Sequence, residues 1–352
     1  MIFKTITKNV KLLLLSTSLT LSFLSSAQEL KEKTVPKLTF SGTLDTYFRA
    51  NLNAPNSGEQ AMAPGSSFAN LPGFALGMAN IITAYKGEKV GFVADLVFGP
   101  RGTDAIFNSP MYSATGNVVN QLYMYWNASD KITITMGNFN TFLGYEVISP
   151  AANFNYSTSY LFSYGPFSHT GIKADLALTE DVSLMLGVFN PTDLTEYNPT
   201  GGYAFGAQLG YKGQNMNILI DNGAYELDYT GGFSITDSFY LGLNGAHYDN
   251  DGVGFSGVAL YPQLTTSDSF AIGLRGEYFL EHGAYGAIDQ IGNNVADSSV
   301  FALTLTGSAS IGSLLLKPEI RIDNGSDASF LNTKFAPQKS LSSFLLAAVY
   351  AF

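Results

Sequence analysis

The sequence predicts an all-β fold, a transmembrane antiparallel up-and-down β-barrel of about sixteen strands, within a range of roughly 14–18. Four observations predict it. Period-2 alternation recurs from residue 38 onward, with one face apolar and the other holding the charges. Charge is scarce: Asp, Glu, Lys and Arg make up 13% of the chain, against about 25% in soluble domains. Aromatics are abundant, with 20 Tyr and 26 Phe. Finally, the chain runs out on a strand, 344–352, that sets Phe344, Leu346, Ala348, Tyr350 and Phe352 on one face. In water such a strand is a bare, adhesive edge. In lipid it is the strand that closes a barrel. No unbroken apolar run of about 18 residues occurs, so helical spans are not predicted.

The elements follow in order. Lys4, Lys8 and Lys11 precede a short apolar stretch, 12–24, and then Ser25, Ser26 and Ala27. That is the pattern of an export signal, 1–27, too short in its apolar part to be an anchor. A short periplasmic lead-in, 28–37, follows, and then the barrel, 38–352. Sixteen strands are expected: 38–52, 73–85, 90–98, 118–126, 132–139, 170–178, 182–189, 203–211, 216–220, 225–235, 239–248, 253–263, 270–280, 301–308, 314–323 and 344–352. In the first, Leu38, Phe40, Gly42, Leu44 and Phe48 oppose Thr39, Ser41, Thr43, Asp45, Tyr47 and Arg49. In the second, the outward face is undecided.

The connections alternate between short turns and long loops, with short exceptions at 221–224 and 249–252. Short turns at one end and long loops at the other is the plan of an outer-membrane barrel. Both termini then lie on the periplasmic side. Outward aromatics gather at the two ends, as an interfacial girdle requires. Phe40, Trp126, Tyr211, Phe239 and Phe352 lie beside short turns; Phe48, Phe98, Tyr203 and Tyr278 lie at the opposite ends.

Strand parity selects the lumen. About sixteen strands leave an aqueous channel rather than a packed interior. The candidate pore-lining residues are Asp45, Arg49, Asp95, Lys173, Asp175, Arg275, Glu277, Lys317, Glu319, Arg321 and Asp323. Glu226 and Asp228 share that parity. Placed outward, a Lys or Arg would cost roughly 2–4 kcal/mol at the bilayer midplane. The runs Arg275–Glu277 and Lys317 to Asp323 read either as a transverse field along the lumen or as mutual salt bridges stiffening the wall. The longest connection, 140–166, holds one charge, Glu146. It is expected either to fold into the lumen, with Glu146 facing the passage, or to pack over the mouth.

The stretch 137–174 carries Gly137-Asn138-Phe139, Gly144-Tyr145-Glu146, Asn153-Phe154-Asn155-Tyr156-Ser157 and Gly165-Pro166-Phe167-Ser168-His169-Thr170-Gly171. It resembles the OmpL-like porin family, the β-barrel porins of type 2 of Gram-negative outer membranes. The layout of the whole chain fits, while the specific residues lie in this one region. The resemblance implies an outer-membrane, pore-forming role and transfers no solute. Thr158 stands where the family commonly has Arg after Tyr-Ser, so no anion-binding arginine is carried over. Resemblance to outer-membrane proteins in general implies that Tyr350 and Phe352 are read by the barrel-assembly machinery.

The expected function is passive diffusion of small hydrophilic solutes. A non-conducting structural or adhesive barrel is the alternative, and an outer-membrane lipid hydrolase a weaker one. No Gly-x-Ser-x-Gly element occurs, and no serine is assignable to His247, which has lipid-facing parity. No enzyme activity, cofactor or metal is expected; Cys is absent. Residues 28–352 carry 15 basic and 28 acidic side chains, a formal −13, which argues against nucleic acid. The partners expected are outer-membrane lipid, the assembly machinery and the solute. Monomer and trimer stay open.

Overall fold

A computed structural model describes residues 37–68, 71–106, 118–195, 198–293 and 295–352. The expected signal and nearly all of the lead-in lie outside the described residues. The barrel strands run β1 Lys37–Asn51, β2 Gly73–Lys86, β3 Val90–Phe98, β4 Val119–Ser129, β5 Ile132–Asn140, β6 Ser168–Ala177, β7 Val182–Phe189 and β8 Ala204–Tyr211. They continue as β9 Gln214–Asp221, β10 Ala224–Ser234, β11 Phe239–Asn250, β12 Val253–Ser267, β13 Phe270–His282, β14 Ser299–Ile311 and β15 Leu314–Gly325. A small hairpin, β16 Phe330–Leu331 with β17 Pro337–Gln338, precedes the last strand, β18 Ser340–Ala351. The sixteen long strands form one closed antiparallel barrel in which neighbours in sequence are neighbours in space. Two short helices, α1 Pro100–Ala105 and α2 Tyr160–Tyr164, sit in long connections.

Closure is made by β1 and β18, in register from Thr43 opposite Ala351 to Asn51 opposite Ser343. Gly42 and Phe352 exchange two backbone hydrogen bonds at 3.1 Å, so the terminal residue is stitched into the seam. Closure removes the edge that β18 would otherwise present.

The undecided face of β2 has a cause. The β1–β2 register slips between Leu44 opposite Ala79 and Thr46 opposite Leu76. Gly77 and Met78 are both buried there, with Phe74 and Leu76 exposed before them and Ile81 exposed after. The extra residue moves the outward set from even to odd positions, which no single alternation describes. Outward apolar side chains stay exposed around the wall, among them Phe40, Trp126, Tyr211 and Phe352 at one end and Phe98, Tyr203 and Tyr278 at the other. That is the surface a bilayer covers.

Candidate functional site: a loop clamped across the lumen

The connection between β5 and β6 carries one charge, Glu146. Folded inside a barrel, such a segment brings backbone N–H and C=O groups that need partners. The wall supplies them with its charged side chains, sorted by sign. Carboxylates take the N–H groups. Glu319 of β15 accepts from Tyr156 N (2.9 Å) and Ser157 N (3.3 Å). Glu277 of β13 accepts from Tyr160 N (3.0 Å) and Leu161 N (2.8 Å). Asp228 of β10 accepts from Gly144 N at 3.1 Å. Cations take the carbonyls. Lys317 Nζ donates to Pro150 O (2.8 Å) and Asn153 O (2.5 Å). Arg275 donates to Ser157 O (2.5 Å) and Thr158 O (3.2 Å), and Arg321 to Thr158 O (2.8 Å). The Tyr156 hydroxyl donates to Asp45 of β1. The segment therefore spans the interior from β10 to β1.

Its one turn of helix is set by the same logic. Ser159 caps α2, its hydroxyl accepting from Phe162 N at 3.0 Å. Glu277 takes the first two helical N–H groups, and Glu146 takes Ser159 N at 2.7 Å. Two carboxylates thus face a helix start, where negative charge is favoured.

Side chains complete the fit. An ideal Cβ on Gly206 would stand 2.5 Å from the Phe142 ring, on Gly242 2.3 Å from Tyr145, on Gly273 2.4 Å from Phe154 and on Gly257 2.8 Å from Leu161. The inner wall is notched with glycine where these four loop side chains rest. Arg101 of α1 adds a support from the other side, donating to Ile148 O (3.0 Å) and Tyr156 O (3.3 Å) and lying 4.4 Å over the Phe68 ring. Burial raises the phenols of Tyr145, Tyr156 and Tyr160 above the usual tyrosine range. It pushes Asp193 up to about 6, against the pull of the Phe167 and Ser168 N–H groups that its carboxylate accepts.

Most of the sequence-predicted lumen charges are consequently covered. Arg275, Glu277, Lys317, Glu319, Arg321 and Asp323 are all buried, as are Asp45, Arg49 and Asp95. Arg49 donates to Met62 O, and Asp95 is enclosed by Asn80, Asn120 and Gln121. Glu146, expected to face the passage if the loop folds into the lumen, is 5% exposed and pairs with Arg275 at 2.6 Å. Neither expectation for the charged runs describes them fully. Arg321 and Asp323 do pair at 2.7 Å, but Lys317, Glu319, Arg275 and Glu277 spend their charge on the loop. Only Lys173 and Asp175 of the candidates keep water, with side chains 22% and 43% exposed and paired at 3.0 Å. Arg101 and the four glycines were missed in the sequence. For the glycines the signal was present in their inward parity.

A family model described as "Putative beta-barrel porin-2, OmpL-like" matches residues 37–352. No curated protein sequence matches the chain. Among solved structures, the chain is similar to the outer membrane channel DcaP of Acinetobacter baumannii, with TM-score 0.58 and 12% identity over 93% of this chain and 100% of that one. It is similar to an anion-selective porin from Comamonas acidovorans to the same degree, TM-score 0.58 and 12% identity over 90% and 100% of the two chains. At that identity the likeness is one of fold.

Proposed function

Because the chain belongs to the OmpL-like β-barrel porin-2 family of outer-membrane porins, we propose that it passes small hydrophilic solutes by passive diffusion with weak ion selectivity. One observation carries the reading. The clamped loop takes up most charges of β13 and β15, and of the lumen charges read from the sequence those left in water are the paired Lys173 and Asp175. Close opposite charges on one strand produce little net field at a distance. The opposite wall is otherwise polar and aromatic where it is partly exposed, with Tyr125 on β4, Thr133 on β5 and Gln208 on β8. Such a lining favours uncharged hydrogen-bonding solutes as well as ions of either sign.

The anion preference in the name of the Comamonas porin finds no counterpart in this reading, since the arginines of β13 and β15 face the loop. Export by residues 1–27, recognition of Tyr350 and Phe352 by the assembly machinery, and contact with outer-membrane lipid belong to the same proposal. The seam at Phe352 and the apolar wall support the last two. Swelling of liposomes loaded with the purified protein tests the proposal. Neutral sugars are expected to enter at rates that fall with molecular size, and ions of both signs to follow. Entry restricted to one sign of charge would refute it.

A further inference from the structure

A second constellation lies on the outside of the barrel. Tyr225 of β10, His247 of β11, Ser256 of β12 and His282 of β13 face outward on four successive strands, near the turns at 222–223 and 251–252. Ser256 Oγ lies 2.7 Å from His247 Nδ1 and 2.7 Å from His282 Nε2. The Tyr225 hydroxyl lies 3.3 Å from His247 Nε2. The two imidazole rings stand 5.7 Å apart between centroids, with their planes inclined at 63°. The serine that no sequence pattern assigned to His247 is supplied by the neighbouring strand.

We propose that this cluster is an open site for a divalent transition-metal ion of the zinc or copper kind. The hydroxyl has one proton and two lone pairs, so at least one imidazole turns an N–H towards it. A metal takes the lone pair of both once that N–H proton moves to the far nitrogen of its own ring. Metal–nitrogen distances of about 2.0–2.1 Å set ligand atoms roughly 3.0–3.4 Å apart, so each nitrogen–oxygen distance, now 2.7 Å, opens by a few tenths of an ångström. Tyr225 holds the outer nitrogen of His247, and a hydrogen bond there fixes a ligand's tautomer and orientation.

The surrounding charge favours a cation over an anion. Asp249 shares the outward face of β11 two residues beyond His247, and Asp251 and Asp297 lie in the adjoining turns. Among the described residues no group of three His, Asp or Glu side chains converges for a metal, so two imidazoles and a hydroxyl form the site and water completes it. The strand N–H groups around Ser256 belong to the β11–β12 and β12–β13 ladders. They leave no donor pair for an oxyanion, so the cluster is not read as hydrolytic. The chain has no Cys and three His. His169 is buried inside, 3.0 Å from Thr141 Oγ1 and stacked on Phe189. Imidazole ligation therefore has one accessible place.

The test uses the full chain, purified without a histidine tag. Calorimetric titration with zinc chloride is expected to show one saturable equivalent. The double variant His247→Ala/His282→Ala should weaken it at least tenfold, and Tyr225→Phe by about tenfold. Copper bound to the unaltered protein should show electron-spin coupling to two imidazole nitrogens, a readout independent of whether the variants fold. No saturable zinc binding, wild-type affinity in the double variant, or coupling to fewer than two nitrogens would overturn the proposal.

Discussion

Cutting the Glu146–Arg275 pair tests whether charge clamps the loop. Both side chains are almost fully enclosed, at 3% and 0% side-chain exposure, and meet at 2.6 Å. Glu146→Ala also deprives Ser159 N (2.7 Å) and Ser159 Oγ (2.6 Å) of their acceptor and leaves the arginine charge buried. Breaking a buried pair from one side costs about 3–5 kcal/mol, whereas replacing both members by apolar groups is often nearly neutral. Arg275→Met keeps volume but strands the Glu146 carboxylate. Each single variant should therefore lower unfolding stability in detergent by about 3–5 kcal/mol, and the double variant by clearly less than their sum. Urea titration of the folded-to-unfolded shift on unheated gels, with all four proteins in parallel, measures the cycle. Ion selectivity in single-channel recordings should stay that of the wild type for Glu146→Gln, because the carboxylate does not face the passage. Additive losses across the cycle, or a drop in cation preference on Glu146→Gln, would refute the reasoning.

Two further predictions concern the wall. Gly273→Val drives a methyl-bearing carbon into the Phe154 ring, already 2.4 Å from an ideal Cβ. Overpacking of this kind costs about 1–3 kcal/mol, and open-channel noise should rise as the loop loosens. Gly245→Val, whose Cβ meets nothing nearer than 3.9 Å, should leave stability and noise unchanged; equal effects at the two sites would contradict the notch. Removing Phe352 deletes the closing pair with Gly42, and membrane levels should fall while the unit conductance of the inserted fraction holds. Normal levels of the truncated chain would argue against a role in assembly.

The strands were legible because alternation is a property of sequence alone. All sixteen fall within a few residues of the expected ranges, and β3 and β7 coincide with them. Where alternation broke, at Gly77 and Met78, the reading broke too, because a bulge is specified by its partner strand. Parity also placed Asp45, Arg275, Glu277, Lys317 and Glu319 inward. Their roles were hidden, since what each carboxylate or cation meets is a loop segment more than 100 residues away in sequence. Glu146 shows the limit most clearly. A lone charge in a polar loop reads as solvent-facing until Arg275 is brought against it. Ser256 is the outward equivalent, ordinary in its own strand and placed between His247 and His282 only by the register of β11, β12 and β13.

By this geometry the segment between β5 and β6 narrows a water-filled barrel. Planar-bilayer recording of the full chain beside a variant with residues 147–158 replaced by a short Gly-Ser link tests it directly. The wild type should insert in uniform ohmic steps, and the variant in distinctly larger ones. Insertion without steps, or equal steps from the two proteins, would contradict the account.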